Sequence, residues 1–307
     1  MPTMIEGAFA DELVYSMEDI AALTSYAYDR GVQVILEVDV PGHAASWAAG
    51  KPQLMADCLV KYSYNINDYA LNPTLPETYE TIGAIMKDLV ASSRSAMIHL
   101  GGDEVVYGCW REDQGITQYM AENGIANYNQ LLSMFVLKVD DIMASIIPSS
   151  HQVSFALFFC IFKSICGLNI LMYTIYFVFC FIFAFFGKIY SQYYYNSLLS
   201  NCFLTFKVIV TAIAFSYYFS QTTIHWDEVF TASVASGMPC NATNTVFQVW
   251  TDASKIQTVT AAKYRVIASP SSYWYLNSAI SWQVMYAYDP TVGLSDAQSK
   301  LVIGRQI

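Results

Sequence analysis

The chain has 307 residues, a formal net charge of −10 at pH 7 and 55% hydrophobic residues. This length allows one large domain or two ordinary ones, and the acidic balance excludes a nucleic-acid partner, because neutralising phosphates requires clustered Lys and Arg. The averages combine two compositions: residues 153–221 contain no Asp or Glu and only three lysines, whereas the remainder carries every acidic residue and resembles a globular domain.

Outside residues 153–221, helix and strand patterns alternate along the chain. Residues 16–30 have helical spacing behind Ser16, a predicted N-cap with Asp19 three residues later. Residues 32–40 form a nearly continuous apolar run, which predicts a strand buried on both faces. Further helices are predicted at 78–91, 128–145 and 253–262, and further strands at 96–100, 223–226, 245–250, 264–268 and from 302. This alternation predicts a parallel sheet with helical crossovers.

Residues able to do chemistry follow nearly every predicted strand. They are, in chain order, Asp39 and His43, Asp103 and Glu104, Trp226, Trp250 and Tyr275. A (β/α)8 barrel gathers its active site from the carboxyl ends of its strands. A doubly wound sheet usually carries a Gly-rich phosphate loop at its switch point. Because the sequence contains no GxGxxG or GxxxxGK[ST] motif, the barrel is favoured.

Asp103 and Glu104 are adjacent carboxylates preceded by two glycines and an apolar strand. At a strand end their side chains point in different directions, so they can serve different roles in one pocket. Burial raises the pKa of a Glu, and an ionised neighbour discourages loss of its proton. The pair therefore predicts acid catalysis, with a solvated turn as the alternative. A metal site built from these residues with Asp39, His43 and His99 is disfavoured, because the spacing matches no known ligand pattern.

Five sequence blocks, in the same order, resemble the family 20 glycoside hydrolases, the β-N-acetylhexosaminidases. They are GVQVILEVDVPGH at 31–43, IHLGGDEV at 98–105, HWDEVF at 225–230, VFQVW at 246–250 and SPSSYWYLN at 269–277. The resemblance covers almost everything outside residues 153–221. It implies an α/β fold, an incomplete (β/α)8 barrel containing about strands 3 to 7 and the start of strand 8, with an apolar helical insert.

The resemblance also implies removal of terminal, non-reducing N-acetylhexosamine from a glycan, glycoprotein or glycolipid, without a cofactor or metal. In the implied retaining mechanism the substrate's own 2-acetamido oxygen attacks the anomeric carbon. Glu104 would protonate the leaving oxygen and then activate water, while Asp103 would accept the acetamido N–H. Tyr275 would donate to the acetamido oxygen, and Asn277 would contact a sugar hydroxyl. The other implied residues are the aromatic walls Trp226, Trp250 and Trp274, and the acid-orienting pair Asp39 and His43.

Several features outside the pocket bear on the cellular compartment of the protein. By the resemblance, Cys58 and Cys109 would form a disulfide beside the active-site loops, which fits an oxidising compartment. Asn241 begins an Asn-Ala-Thr sequon, which predicts N-glycosylation. Residues 1–10 do not have the pattern of a signal peptide. The resemblance nevertheless implies a lysosomal or secreted protein, and it allows a homodimer.

The composition divides the chain into a first part of the barrel (1–152), an apolar insert (153–221) and a second part of the barrel (222–307). Within the insert, residues 165–187 carry no charge and could span a bilayer, and a weaker second candidate follows at 198–219. A membrane hairpin is therefore one interpretation. The favoured one is a translated intron, because both ends of the insert can be encoded by splice-site sequences. Removing the insert would also leave a loop of ordinary length.

The resemblance further predicts that the chain is shorter than its relatives at both ends, with the family's first two strands absent. Five strands and part of a sixth cannot close an eight-stranded barrel. We therefore expect this polypeptide to fold poorly and to have little or no activity. The alternatives to an enzyme are a non-catalytic sugar-binding barrel and a membrane-anchored remnant, in which case the partner would include a lipid bilayer.

Overall fold

The computed structural model of the chain describes most residues outside the apolar insert. They are residues 6–8, 10, 12–58, 69–146, 222–275 and 279–305. They belong to a structural unit that comprises Met1–Ile146 together with Gln221–Ile307. The predicted insert at 153–221, with both of its interpretations, lies outside the described residues. Among the described helices, none is long and apolar enough to cross a lipid bilayer.

In the described part of the chain, parallel strands form one sheet in which each strand pairs with the next along the sequence. The strands are β1 (Leu36–Glu37), β2 (Met97–His99), β3 (Thr222–Trp226), β4 (Thr245–Val249), β5 (Arg265–Ala268) and β6 (Val302–Arg305). Helices occupy the connections. They are α1 (Met17–Tyr28), α2 (Trp47–Gly50), α3 (Pro76–Ser92), α4 (Tyr107–Glu112), α5 (Gln114–Glu122), α6 (Tyr128–Ile146), α7 (Asp227–Ser236), α8 (Lys255–Ala261), α9 (Ser271–Trp274), α10 (Trp282–Ala287) and α11 (Asp296–Ser299).

The order of the strands distinguishes between the two α/β architectures considered above. It runs from β1 to β6 without reversing. A doubly wound sheet reverses its order at a switch point, whereas the strands of a (β/α)8 barrel follow one another in sequence. The predicted partial barrel is therefore confirmed. Its parallel strands present their carboxyl ends at one edge of the sheet, where the loops that follow them gather.

Strand β1 is shorter and more exposed than the sequence predicts. The apolar run at 32–40 predicts a strand buried on both faces, but only Leu36–Glu37 form regular strand. Val32 and Ile35 are 56% and 36% exposed. The prediction of full burial is wrong because residues 32–35 precede the regular strand, and β1 itself is an edge strand with a described neighbour on one side only.

The helices follow the sequence signals closely. Helix α1 begins behind Ser16, whose hydroxyl accepts the Asp19 N–H at 3.1 Å, while the Asp19 carboxylate accepts the Ser16 N–H at 2.9 Å. This reciprocal pair is the predicted cap. The predicted helices at 78–91, 128–145 and 253–262 correspond to α3, α6 and α8. Helix α7 was not predicted, because it begins directly after β3 without a loop.

The chain segments before and after the insert share one core. Helices α6 and α7 pack together, and the hydroxyls of Ser133 and Ser236 lie 2.9 Å apart across them. His225 on β3 places Nε2 3.1 Å from Asp140 Oδ1 on α6. Since His225 is only 2% exposed, this polar contact is part of the packed interior. The contact therefore holds β3 against the helix that precedes the insert.

Candidate active site

The turn after β2 requires two glycines. Gly101 and Gly102 have φ angles of +65° and +95°, a region that residues with a Cβ rarely adopt. A Cβ on Gly101 would overlap the carboxylate of Asp39, and one on Gly102 would collide with Val229. Without these side chains, the Gly102 N–H donates to Asp39 Oδ1 at 2.9 Å. The glycines therefore allow the carboxyl ends of β1 and β2 to meet.

Asp39, His43 and Glu104 form a continuous line of polar groups at this edge. His43 Nδ1 lies 2.6 Å from Asp39 Oδ2, and its Nε2 lies 3.5 Å from Glu104 Oε2. Burial lowers the pKa of His43, but the hydrogen bond to Asp39 and the charges of the nearby carboxylates outweigh burial and raise it. Burial also raises the pKa of Asp39, against the hydrogen bonds that its carboxylate accepts. The imidazole can therefore hold a proton between two carboxylates.

The two adjacent carboxylates have different surroundings, but the prediction of a buried Glu104 beside an ionised Asp103 is wrong, because Asp103 is the more buried of the two. The Asp103 side chain is 18% exposed and that of Glu104 is 59% exposed. Glu104 has φ +49° and His43 has φ +50°, an uncommon conformation for residues other than glycine. Such strained residues are found at functional sites, where the surrounding structure holds them in place. The backbone therefore directs one carboxylate inward and leaves the other accessible to a ligand.

The pKa of the Asp103 carboxyl is strongly perturbed. Burial, followed by the charge of Asp39, raises the pKa of Asp103 to about 7. His43 Nδ1 lies 3.7 Å from Asp103 Oδ1. This oxygen is buried and accepts no hydrogen bond from the part of the chain that the structure describes. A buried acceptor without a donor is unfavourable, so Oδ1 is available to a donor from a ligand.

Two tryptophans lie beside the carboxylates. The rings of Trp226 and Trp250 meet edge to face, with centroids 6.4 Å apart and planes at 74°. Trp226 donates its indole N–H to Glu37 Oε1 at 3.0 Å, and Trp250 donates to both carboxylate oxygens of Glu228 at 3.0 and 3.1 Å. The charge of Asp103 contributes to raising the pKa of both glutamates. Asp103 is therefore within electrostatic range of both indole-binding carboxylates.

The remaining predicted site residues are Tyr275, Trp274 and Asn277, and the structure does not treat them alike. Tyr275 follows α9 and is 48% exposed. Trp274 is only 6% exposed; it donates its indole N–H to the Met285 carbonyl at 2.9 Å and packs edge to face on Tyr288. These contacts belong to the packing beneath α10, so the structure does not bring Trp274 together with the other two tryptophans. Asn277 lies outside the described residues.

Asp227 was not identified from the sequence as a site residue, but it fixes the loop after β4. It is fully buried, accepts the Trp250 N–H at 2.9 Å and the Lys255 ammonium at 2.6 Å, and also bonds the hydroxyl of Thr251. A buried carboxylate requires hydrogen-bond donors, and these groups supply them. Asp227 therefore anchors the backbone that carries the Trp250 ring.

The predicted disulfide joins Cys58 to Cys109, and this prediction is confirmed. Cys109 lies on α4, which begins shortly after Glu104. The neighbouring Trp110 is fully buried and donates its indole N–H to the Leu71 carbonyl at 2.9 Å. The disulfide and this hydrogen bond together tie the segment after Glu104 to the loop that follows β1.

The same residues could in principle hold a metal ion. Asp39, His43 and Asp103 each offer a ligand atom, and the three atoms lie within 4.8 Å of one another. The short contact between His43 Nδ1 and Asp39 already engages the imidazole nitrogen that faces both carboxylates. This donor set therefore favours a hydrogen-bonded relay over a metal centre.

Sequence reasoning also missed the glutamates at 37 and 228. Both lie inside blocks of the family resemblance, but neither has a residue-level signal of its own. Glu37 falls within the apolar run of β1, and Glu228 follows an Asp in the first turn of α7, where acidic residues are common for electrostatic reasons. Only the positions of the two indole N–H groups reveal their role.

Comparison with known proteins agrees with this geometry. Residues 3–150 and 210–300, more than half of the chain, match the family described as "Glycosyl hydrolase family 20, catalytic domain". The chain is 37% identical over 125 residues to beta-hexosaminidase subunit A1 of Dictyostelium discoideum, covering 41% of this chain and 23% of that protein. It is 33% identical over 142 residues to beta-hexosaminidase subunit beta of Homo sapiens, covering 46% of this chain and 26% of that protein. These matches span about a quarter of each relative.

Solved structures agree on the fold. The exo β-N-acetylglucosaminidase of Vibrio harveyi, solved in complex with N-acetylglucosamine, superimposes with a TM-score of 0.62 at 17% sequence identity. The superposition covers 95% of this chain and 37% of the Vibrio chain. At this identity the likeness establishes the architecture alone, a large part of a (β/α)8 barrel.

Proposed function

The chain belongs to glycosyl hydrolase family 20, and on this premise we propose that its site removes terminal N-acetylhexosamine from the non-reducing end of glycans. The observation that carries the proposal is the buried Oδ1 of Asp103, which lacks a donor among the described residues and lies beside the Asp39–His43–Glu104 line. An acetamido N–H is a donor of the right kind for this oxygen. A sugar with only a hydroxyl at C2 would not supply the acetamido group that the mechanism requires.

In the proposed mechanism the substrate supplies the nucleophile. The acetamido oxygen attacks the anomeric carbon while Glu104 gives its proton to the leaving oxygen. Asp103, once ionised, accepts the acetamido N–H and stabilises the positive charge that develops on the cyclic intermediate. Glu104 then removes a proton from the water that opens this intermediate. The configuration at the anomeric carbon is retained.

His43 and Asp39 support the proton transfer in this proposal. Nε2 of His43 faces Glu104 at 3.5 Å and Nδ1 is held by Asp39 at 2.6 Å. A protonated imidazole stabilises the ionised Glu104 that remains after the leaving group takes its proton. A base held in one orientation by a third group is the arrangement by which enzymes prepare proton transfer.

The proposed mechanism also gives roles to the aromatic residues that would form the walls of the pocket. Trp226 and Trp250 would stack on the C–H surface of the sugar, and Tyr275 would donate to the acetamido oxygen. The half-exposed side chain of Tyr275 is compatible with a ligand contact. Trp274 would act by packing beneath this wall rather than by touching sugar, and Asn277 remains a proposed contact of a sugar hydroxyl.

Several proposals concern the protein beyond the pocket. The Cys58–Cys109 disulfide supports an oxidising compartment and hence a lysosomal or secreted location. Asn241 is exposed in the turn before β4 and is proposed as a glycosylation site.

The natural substrate would be a glycan, glycoprotein or glycolipid, and assembly as a homodimer is a further proposal. The family match omits residues 151–209, which supports treating residues 153–221 as an insert.

The test is a comparison of two chromogenic substrates that differ only at C2. We expect the chain to hydrolyse p-nitrophenyl N-acetyl-β-D-glucosaminide and not p-nitrophenyl β-D-glucoside. The result is the ratio of the two rates on one preparation of the chain, so a low overall activity would lower both rates without changing their ratio. Equal rates on both sugars, or binding of N-acetylglucosamine without any turnover, would contradict the proposal and favour a sugar-binding module.

A further inference from the structure

The two site tryptophans are each held by a carboxylate from another chain segment. Glu37 on β1 accepts the indole N–H of Trp226 at the end of β3, and Glu228 on α7 accepts that of Trp250 after β4. We propose that Glu37 and Glu228 are positioning residues that set the angle between the two rings that wall the sugar. This inference rests on the proposed function and names the groups that would give the pocket its shape.

The geometry of the Glu228 contact is specific to ring orientation. Both carboxylate oxygens lie close to the indole nitrogen of Trp250, at 3.0 and 3.1 Å. The backbone of Trp250 is fixed separately through Asp227. One acidic residue thus holds the main chain and its sequence neighbour holds the ring. Packing alone does not require a carboxylate at the second position.

The Glu37 contact crosses the sheet. Glu37 reaches past β2 to the ring of Trp226, which also packs against the imidazole of His99 with centroids 4.8 Å apart. A hydrophobic residue at position 37 could pack beside these rings, but it could not accept the indole proton. Since the Trp226 ring then meets the edge of Trp250, rotation of either ring would change the shape of the space between them.

The charges of Glu37 and Glu228 would also act on a sugar bound between the two rings. Burial raises the pKa of Glu228 to about 7 and, with a contribution from Asp103, also raises that of Glu37. Taking a carboxylate out of water is unfavourable unless its charge or hydrogen bonds are used. Two carboxylates facing a site where positive charge develops would lower the energy of that charge. The unfavourable free energy of burying these two carboxylates is therefore consistent with a role in the pocket.

The experiment follows the indole N–H signals of the full chain by 15N NMR, with the two signals assigned from Trp226→Phe and Trp250→Phe. Glu228→Leu removes the acceptor, and Glu228→Gln keeps an acceptor oxygen but removes the charge. Glu37→Leu and Glu37→Gln form the matching pair. Glu122→Gln, on the solvent-exposed end of α5, is the control for loss of an acidic residue.

We expect Glu228→Leu to move the Trp250 signal and to speed its hydrogen exchange at least tenfold, with Glu228→Gln close to the parent. The parent signal should titrate with a midpoint near pH 7, where the pKa of Glu228 lies. This titration would show that the Trp250 indole responds to the protonation of Glu228, while the change in KM distinguishes a role in the pocket from a purely structural one. With p-nitrophenyl N-acetyl-β-D-glucosaminide, Glu228→Leu should raise KM about tenfold with a smaller change in kcat, because one charged hydrogen bond has a comparable effect.

The two proposals fail in different ways. If neither indole signal responds to loss of its glutamate, or if Glu122→Gln produces the same changes, the positioning role is refuted whatever the activity. If the signals respond as expected but the chain neither binds N-acetylglucosamine nor turns over its glycosides, the contacts are real and the proposed function is refuted. An unchanged KM in an active Glu228→Leu variant would also overturn the positioning role.

Discussion

His43 Nδ1 lies 2.6 Å from Asp39 Oδ2, four residues earlier in the chain. This contact fixes which imidazole nitrogen carries a proton toward Asp39, and it leaves Nε2 facing Glu104 at 3.5 Å. The tautomer and the orientation of the ring are therefore set by one carboxylate, which itself is held by the Gly102 N–H.

The Asp39→Asn variant tests this arrangement. An asparagine can still accept the Gly102 N–H through its oxygen, but its NH2 group would face His43 Nδ1 and favour the wrong tautomer. We expect kcat on p-nitrophenyl N-acetyl-β-D-glucosaminide to fall roughly 100-fold, the lower end of the range for loss of a positioned proton-transfer group. Little change in kcat would show that His43 does not act on Glu104.

The glycine turn provides a matched pair of substitutions. Gly101 and Gly124 have nearly the same φ, +65° and +67°, but a Cβ at Gly101 would overlap Asp39 whereas a Cβ at Gly124 would meet nothing within 4 Å. Gly124→Ala should therefore cost about 1 kcal/mol of folding free energy from backbone strain alone. Gly101→Ala should cost roughly 3 kcal/mol, because the overlap adds to the strain.

Urea denaturation of both variants measures the difference in the free energy of unfolding. Gly101→Ala should also lose activity, since displacing the Asp39 carboxylate disturbs His43, while Gly124→Ala should retain it. Equal destabilisation of the two variants would mean that the turn does not press against Asp39.

Asp103 should reduce stability in a pH-dependent way. Burial and the charge of Asp39 raise the pKa of Asp103 from 3.8 to about 7, so the folded state disfavours the ionised form. The resulting penalty is absent below the unfolded-state pKa of 3.8, grows as the pH rises, and is complete above about pH 7. Asp103→Asn removes it, and we expect this variant to be more stable than the parent by about 2 kcal/mol at pH 8.

The free energy of unfolding of parent and variant is measured at pH 4, 6 and 8. The difference should increase with pH, although the variant loses activity. The Glu122→Gln control removes an acidic group from an exposed position, so a trend shared by both variants would reflect the general loss of a charge and not the site. An Asp103→Asn variant that is less stable than the parent at pH 8 would contradict the proposed repulsion.

Asn241 should carry a glycan without affecting the site. It is exposed in the turn before β4, with its Oδ1 accepting the Thr243 N–H at 3.0 Å. This turn is at the amino edge of the sheet, opposite the carboxyl edge where Asp103 lies. Expression in a secreting eukaryotic cell should give a product whose electrophoretic mobility changes after glycan removal. Asn241→Gln and Thr243→Ala should both abolish that change and leave relative activity unaltered.

Much of the fold could be predicted because its signals are local. The cap at Ser16, the helical spacing of α6 and the apolar run of β4 depend on residues close in sequence, and the structure has these elements within a few residues of their predicted bounds. The exposure of β1 could not be predicted in this way. An apolar run does not say whether its strand lies in the middle of a sheet or at its edge.

In the candidate site, too, features with a local signal could be predicted and contacts between distant segments could not. The presence of the adjacent carboxylates and the disulfide could be predicted from motifs and from the family resemblance, but which of the two carboxylates is buried could not. The roles of Glu37 and Glu228 depend on contacts between segments as far apart as positions 37 and 226, and no spacing rule describes such contacts. The burial of Trp274 was missed for a similar reason: α10, which follows in the chain, covers its ring.

The central claim is that Glu104 donates a proton to the leaving oxygen of an acetamido sugar bound beside Asp103. The most direct measurement compares Glu104→Gln with the parent on two N-acetyl-β-D-glucosaminides, one that releases p-nitrophenol and one that releases unsubstituted phenol. Because phenol is the more basic leaving group, it needs the proton more. We predict a loss of kcat/KM at least tenfold greater for the phenyl substrate than for the p-nitrophenyl substrate; equal losses on both, or no loss on either, would contradict this claim.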